Sequence, residues 1–161
     1  RIFPDKQWEN KTNLSYGLFI WLGLSLYWIS PYIIISGNSI FPFSIPIYPV
    51  YIFFCLTIYI LGVFLHFTSD MQKFIQLKLK KGNLINDGMF RSLRNTNYLG
   101  ELFIYLGFSL LALDWAPLIA LLLFVTLIWI PNMYKKDISL SKYSDFKQYK
   151  SKTKKFIPFI W

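Results

Sequence analysis

The sequence places an amide, a carboxylate and a phenol four residues apart: Asn97, Glu101 and Tyr105. Residues at this spacing share one face of an α-helix, so a helix beginning near Thr96 presents all three together. An ionisable side chain inside an apolar segment faces a cavity or a partner more often than lipid. We therefore expect a wet, ligand-binding cavity along this face. The structural alternatives for Glu101 are a pair with Arg94 or stabilisation by the helix dipole.

Further polar candidates flank this face. Arg91 and Arg94 precede it, and a guanidinium group offers a planar fork to phosphate. Tyr98 lies beside the face, and Asp70 follows the preceding apolar run. The Asp70 carboxylate suits a ribose hydroxyl or an amide, or equally the cap of the basic segment after it. Because the chain has neither a glycine-rich dinucleotide motif nor a P-loop, a nucleotide would have to be held by helix ends and loops.

Other kinds of site find little support. His66 is the only histidine, and one histidine without Cys or His partners predicts no metal site; a structural interfacial role is favoured over a catalytic one. Cys55 is the only cysteine, which excludes an internal disulfide. The sequence identifies no catalytic residue, although Tyr98 and Tyr105 are candidates for a proton donor.

The composition points to a membrane protein. Of 161 residues, 55% are hydrophobic and 16% are charged, whereas a soluble domain has about 45–50% apolar and about 25% charged residues. The net charge of +9 comes from basic residues that flank the apolar runs. Such residues set topology and attract anionic headgroups, and without a recognition motif they do not predict nucleic-acid binding.

The apolar runs predict an all-α, polytopic fold with about four transmembrane helices, since each span needs about 20 residues and lipid favours helices. Two spans fall within residues 16–67. Residues 98–133 are too long for one span, so we divide them at Asp114–Pro117 into a hairpin of two short helices. The remaining segments are the N-terminal residues 1–15, the loop 68–97 and the tail 134–161. Because the sequence starts with Arg rather than Met, we expect a fragment or a processed product.

Charge predicts the orientation. Four spans place the basic loop, the basic tail and the N-terminal segment on one side of the membrane, and both charge-poor loops on the other. The positive-inside rule then makes both termini cytoplasmic, in an inner or endoplasmic reticulum membrane. A three-span arrangement would separate the basic loop from the basic tail.

The second half of the chain resembles a known family. Ser69-Asp70 before a basic helix, Gly88-Met89-Phe90, the run Asn97-Tyr98-Leu99-Gly100-Glu101 and the closing Ile157-Pro158-Phe159 are similar to the C-terminal domain of the steroid 5-alpha-reductase family and its bacterial relatives. These pieces span about residues 68–161. The Asn-Tyr-Leu-Gly-Glu run together with the terminal Ile-Pro-Phe is the most specific part.

The resemblance implies an NADPH-dependent membrane reductase that acts on a carbon–carbon double bond of a lipid-like or steroid-like substrate. Asn97 and Glu101 would contact the nicotinamide end of the cofactor, and Asp70 the nucleotide further out. Tyr143 matches a tyrosine in the tail of the family. Arg91 and Arg94 are added as phosphate ligands from their charge alone.

Two other functions stay open. The related isoprenylcysteine and phospholipid methyltransferases bind S-adenosylmethionine with an Arg-His-Pro-x-Tyr element, where this chain has Arg94-Asn95-Thr96. A non-catalytic membrane scaffold is the third hypothesis, and it predicts that Asn97 and Glu101 can be exchanged without consequence. The sequence leaves the oligomeric state undetermined.

Overall fold

The computed structural model describes residues 11–161. The predicted N-terminal segment 1–15, with its fragment start, therefore lies largely outside the described residues. Within them the chain forms helices and no β-strand, and two isolated bridges pair Pro42 with Asp114 and Leu93 with Lys154. The all-α fold class predicted from the apolar runs is confirmed.

Three helical segments among the described residues are long and apolar enough to cross a membrane. The first covers 23 residues and consists of α1 (Leu14–Ser25), a short 3-10 turn and α2 (Ile29–Ser36). The second is α3 (Pro49–Leu79), with 31 residues. The third covers 26 residues and joins α5 (Trp115–Phe124) to α6 (Ile130–Leu140) through a widened π-helical stretch. An integral membrane protein follows from these lengths and compositions.

The fourth predicted span corresponds to α4 (Thr96–Leu111), which has 16 residues. That length falls short of the roughly 20 residues of a typical span, so the count of four stays a prediction, as does the cytoplasmic placement of the termini. The tail adds α7 (Phe146–Lys152).

Two helices run further than the apolar pattern predicts. α3 continues beyond the span predicted to end at residue 67 and includes the basic helix expected after Asp70. Gln72 and Gln76 donate hydrogen bonds to Asp87 and tie this polar end of the helix to the following loop. The third spanning segment, α5 with α6, ends at Leu140 instead of residue 133 and has 26 residues, so it is longer than the short helix predicted there. The predicted loop 68–97 and tail 134–161 therefore both begin as continuations of spanning helices.

Asp114 fixes the turn between α4 and α5. Its carboxylate is fully buried and accepts hydrogen bonds from the backbone N–H groups of Ala116 (2.7 Å), Ile40 (2.7 Å) and Phe41 (2.9 Å). Burial alone would raise the pKa of Asp114, but these three donors hold the pKa below its ordinary value. Asp114 therefore caps the start of α5, which explains the predicted division of the apolar run at this position. The same carboxylate also holds the loop between α2 and α3.

Helices α3 and α4 form the most extensive contact in the fold, and glycines allow it. A methyl group added at Gly62 would lie 2.6 Å from the backbone nitrogen of Ile104 and 2.7 Å from the carbonyl oxygen of Gly100. A methyl group at Gly100 would collide with the backbone of His66. Backbones this close leave room only for glycine, and the contact sets one turn of α3 beside the start of α4.

Candidate functional site

The start of α4 carries the polar face that its spacing predicts. The helix begins at Thr96, so Asn97, Glu101 and Tyr105 follow one another along one side. Glu101 is half-buried, and no hydrogen bond or ion pair joins its carboxylate to another residue in the described part of the chain. The side-chain oxygen Oδ1 of Asn97 is buried and lacks a hydrogen-bond partner there. Buried polar atoms are nearly always paired, so this face offers unused acceptors to a ligand.

His66 and Asp70 of α3 stand beside this face. The His66 ring contacts the backbone carbonyl oxygen of Asn97 through Nδ1 at 3.3 Å, and its Nε2 lies 3.7 Å from Oδ2 of Asp70. Glu101 interacts electrostatically with both His66 and Asp70. The structure therefore brings the predicted residues Asp70, Asn97 and Glu101 into one polar cluster, and adds a histidine that the sequence favoured as structural.

Aromatic rings continue the face into the apolar layer. Tyr105 stacks on Tyr27 with ring centroids 3.8 Å apart, and both rings approach Glu101. Tyr98 packs against Trp129 with centroids 5.7 Å apart, and its hydroxyl lies beside the side chain of Asn132. Trp129 ends the π-helical stretch between α5 and α6, and such local widenings of a helix occur frequently at functional sites.

An apolar cavity opens next to these tyrosines. Its volume is about 220 Å³, and Tyr27, Tyr59, Tyr105 and Phe108 form part of its wall together with Leu121. Tyr105 lines this cavity and lies on the same side of α4 as Glu101, so it connects the cavity with the helix face that carries the polar cluster.

Arg94 does not pair with Glu101 but forms the centre of a buried charge cluster. Its Nε donates to Oδ1 of Asp137 at 3.2 Å, and its Nη1 donates to the carbonyl oxygen of Thr153 at 2.7 Å. Lys155 completes the cluster, with Nζ 3.7 Å from Oδ2 of Asp137. Only 4% of Arg94 is exposed. These bonds tie the start of α4 to α6 and the tail, so Arg94 has a structural role. Phosphate binding by Arg94 stays a prediction.

Arg91 faces a separate polar cleft of about 510 Å³ between the loop and α7. Its side chain is exposed, and it shares the cleft with Lys152 and Asp145. Tyr149 borders this cleft and is held by a hydrogen bond from its hydroxyl to the carbonyl oxygen of Phe90, at 2.7 Å. Burial raises the pKa of the Tyr149 hydroxyl, which stays protonated as that donor.

The predicted residue Tyr143 lines a third space, a cationic and aromatic cavity of about 110 Å³. Arg94, Lys73 and Lys136 reach the same cavity, and Tyr149 separates it from the cleft of Arg91. Lys136 interacts electrostatically with Lys73 and Asp70, which connects this cavity to the polar cluster. The two arginines that the sequence pairs as phosphate ligands therefore face different surroundings.

Two residues of this region were not predicted as site residues. Lys136 donates to the carbonyl oxygen of Arg94 at 2.9 Å and to Oδ1 of Asn95 at 3.0 Å; its only sequence signal was a place in the basic tail. His66 carried the signal of being the sole histidine. Among residues 11–161, no group of three or more His, Cys, Asp or Glu side chains could hold a metal ion.

Comparison with known proteins identifies one family. No curated protein and no solved structure matches the chain. The sequence profile of DUF1295, described as a protein of unknown function, matches residues 5–153. Since the match covers most of the 161 residues, the chain belongs to the DUF1295 family.

Proposed function

We propose that this protein is a membrane-embedded, NADPH-dependent reductase that acts on a carbon–carbon double bond of a lipid-like or steroid-like substrate. The DUF1295 family is associated with steroid 5-alpha-reductase-like proteins, in agreement with the Asn-Tyr-Leu-Gly-Glu run. The observation that carries the proposal is the buried, unpartnered Oδ1 of Asn97, on the helix face whose Tyr105 lines an apolar cavity.

The residues present fit a nicotinamide dinucleotide. The carboxamide of such a cofactor is a hydrogen-bond donor, which a buried and unpartnered amide oxygen requires. Bound in this site, NADPH would supply a hydride. Asn97 would accept from the carboxamide, and Glu101 would accept from a further donor. The anionic end of the molecule suits the cavity of Lys73, Lys136 and Tyr143. Lys136 donates two of its three N–H groups to protein oxygens, which leaves the third for a phosphate.

The remaining parts of the site suit an apolar substrate. The cavity wall of tyrosine, phenylalanine and leucine side chains would bury the hydrocarbon of such a substrate away from water. Exclusion of water strengthens every electrostatic interaction at the edge of the cavity. A double bond held there would lie between the apolar cavity and the polar cluster of Asn97 and Glu101.

Methyl transfer from S-adenosylmethionine is the second candidate, and the unpaired Glu101 carboxylate favours it, because an ammonium group would complete an ion pair there. Both cofactors contain an adenosine group, which would occupy the same cationic cavity in either case. The two cofactors differ in what Asn97 contributes: the nicotinamide carboxamide offers N–H donors for Oδ1. A scaffold without catalytic activity would bind neither molecule.

A thermal-shift experiment on the detergent-purified chain tests the proposal. A ligand at 100 times its dissociation constant stabilises by about 2.7 kcal/mol. We expect NADPH to raise the unfolding temperature, S-adenosylmethionine to leave it unchanged, and Glu101→Gln to weaken the NADPH effect. Asp87→Asn removes a carboxylate outside the cluster and is the matched control, which should retain the full effect. A shift with S-adenosylmethionine alone would establish methyl transfer instead, and no shift with either would favour the scaffold.

A further inference from the structure

We infer that Ser30 and Ser109 form a polar subsite, at the end of the apolar cavity remote from Glu101, which binds an oxygen atom of an otherwise hydrocarbon ligand. The ligand class is an apolar ring compound that carries one carbonyl or hydroxyl group. That this ligand is the substrate rests on the proposed reductase, whereas the binding site itself does not. Burial, missing hydrogen bonds and position along the helices each support the assignment.

Both serines are buried, and both line the cavity. Ser30 is 5% exposed and Ser109 is 2% exposed, and each borders the cavity of about 220 Å³. They come from two helices, α2 and α4, that pack against each other. The two helices end on the same side, since the N–H of Phe43, after α2, donates to the carbonyl oxygen of Leu113, after α4, at 3.1 Å. Two buried hydroxyl groups therefore meet one mainly apolar space.

Neither hydroxyl has a hydrogen-bond partner within the part of the chain that the structure describes. A serine or threonine inside a helix commonly donates to a carbonyl oxygen of the preceding turn. The hydroxyls of Ser25 and Thr57, which lie away from the cavity, each do so at 2.7 Å. Since buried polar groups are nearly always paired, the hydroxyls of Ser30 and Ser109 are available to a ligand in the cavity.

The backbone around Ser30 is irregular in the way that a cavity wall requires. The 3-10 turn Leu26–Trp28 interrupts the first spanning segment shortly before Ser30, and Pro31 follows directly after it. Proline has no N–H group, so Pro31 cannot donate the helical hydrogen bond to the carbonyl oxygen of Tyr27. The segment is therefore not one regular rod, and Tyr27, Ser30 and Pro31 all line the cavity at this interruption.

Position along the helices separates the two serines from the polar cluster. The rings of Tyr27 and Tyr105 stack at the cavity wall. Ser30 comes three residues after the first of these tyrosines and Ser109 four residues after the second, so both lie about one helical turn further along. Glu101 comes four residues before Tyr105, which puts it about 12 Å from Ser109 along the helix at a rise of about 1.5 Å per residue. A ligand with its oxygen at Ser109 would therefore extend its hydrocarbon past Tyr105 toward the polar cluster.

The size and the wall of the cavity set the kind of ligand. An apolar cavity of about 150 Å³ accepts benzene, so a cavity of about 220 Å³ holds a group larger than one ring. The aromatic side chains of the wall suit a hydrocarbon surface. Each serine hydroxyl can donate one hydrogen bond, and a carbonyl oxygen accepts two. A fused bicyclic ketone therefore matches both the apolar wall and the pair of hydroxyls.

Binding of 2-decalone and of decalin to the detergent-purified chain tests the subsite, because the two probes share their fused rings and only the first carries an oxygen. Dissociation constants follow from the dependence of the unfolding temperature on probe concentration. We expect Ser30→Ala and Ser109→Ala each to weaken the binding of 2-decalone about 5-fold, the effect of one lost hydrogen bond, and to leave the binding of decalin unchanged. Without a probe, both variants should unfold at or above the wild-type temperature, because an unpaired hydroxyl has been removed.

Tyr59→Phe is the matched control, because it removes a hydroxyl of a half-buried side chain from the wall of the same cavity and keeps the ring. It should change the binding of neither probe. Unchanged affinity of both alanine variants for 2-decalone would overturn the inference, as would a wild type that binds neither probe or an equal loss in Tyr59→Phe. The measurement needs no NADPH, so a missing NADPH shift would refute the reductase and leave this site standing, whereas the outcomes named here would refute the site alone.

Discussion

Two clusters of polar side chains meet at the start of α4, and they differ in how well they are satisfied. Around Arg94, every charged group has a partner: Asp137, Lys155 and Thr153 surround the guanidinium in a buried corner. Along Asn97 and Glu101, a buried amide oxygen has no partner and the described residues offer the carboxylate none. Satisfied charges hold helices together, whereas unused acceptors beside a cavity are what a ligand-binding site needs.

The largest expected effect belongs to the satisfied corner. Arg94→Met leaves Asp137 buried with Lys155 as its remaining ion-pair partner, and breaking a buried ion pair on one side costs about 3–5 kcal/mol. The unfolding free energy of the detergent-solubilised chain measures this loss. Arg91→Met is the matched control, because Arg91 is exposed and should change stability by less than about 0.5 kcal/mol. Equal losses from the two variants would mean that Arg94 is not the anchor its contacts indicate.

The contact between the helices gives the next largest effect. Gly62→Ala forces a methyl group against the backbone of α4, and overpacking of this kind costs about 1–3 kcal/mol. Since the contact also positions His66 and Asn97, the variant should lose NADPH binding as well as stability. Gly17→Ala serves as the control, because no atom lies within 4 Å of its added methyl group. A stable Gly62→Ala chain would contradict the close approach of α3 and α4.

Asp114 sharpens the comparison through pH. Its folded-state pKa lies below the ordinary value, so its contribution to stability is complete above the unfolded pKa of about 3.9 and declines as the pH falls through the lower folded value. Asp114→Asn removes the charge from three backbone hydrogen bonds and should cost about 2 kcal/mol at neutral pH. Thermal unfolding at several pH values measures the stability at neutral pH and its decline in acid. The unfolding temperature of the variant should fall less than that of the wild type when the pH is lowered. A wild type whose stability does not change between neutral and acidic pH would argue against this role.

The pattern of the sequence predicted which polar side chains share one face of α4, but it did not predict the anchor formed by Arg94. The spacing of Asn97, Glu101 and Tyr105 is a local property of one helix, so it could be recognised without any tertiary contact. Arg94 pairs with Asp137, which lies 43 residues further along the chain. The local residue pattern around either side chain does not predict such a long-range pair. Charge alone suggested phosphate binding for Arg94; that role stays a prediction, and its contacts with the tail could not be recognised from the sequence.

The position of His66 beside Asn97 and Asp70 could not be recognised for a similar reason. Its place beside Asn97 depends on Gly62 and Gly100 meeting across two helices, and a single glycine in a helix does not reveal which helix it faces. The sequence assigned the basic helix after Asp70 to the loop 68–97 and ended the last span at residue 133, whereas both stretches continue spanning helices, because hydropathy marks where lipid ends rather than where a helix ends. Hydrogen bonds from Gln72 and Gln76 to Asp87 stabilise the part of α3 that lies beyond its apolar run.

The most direct test of the account is the variant Asn97→Leu, measured with and without NADPH. Leucine has about the same size but no acceptor, so the free chain no longer buries an unpaired oxygen and should gain about 1 kcal/mol in unfolding free energy. The stabilisation by NADPH should fall sharply at the same time. A variant that is less stable than the wild type and keeps the full NADPH effect would contradict the claim that Asn97 is reserved for a ligand.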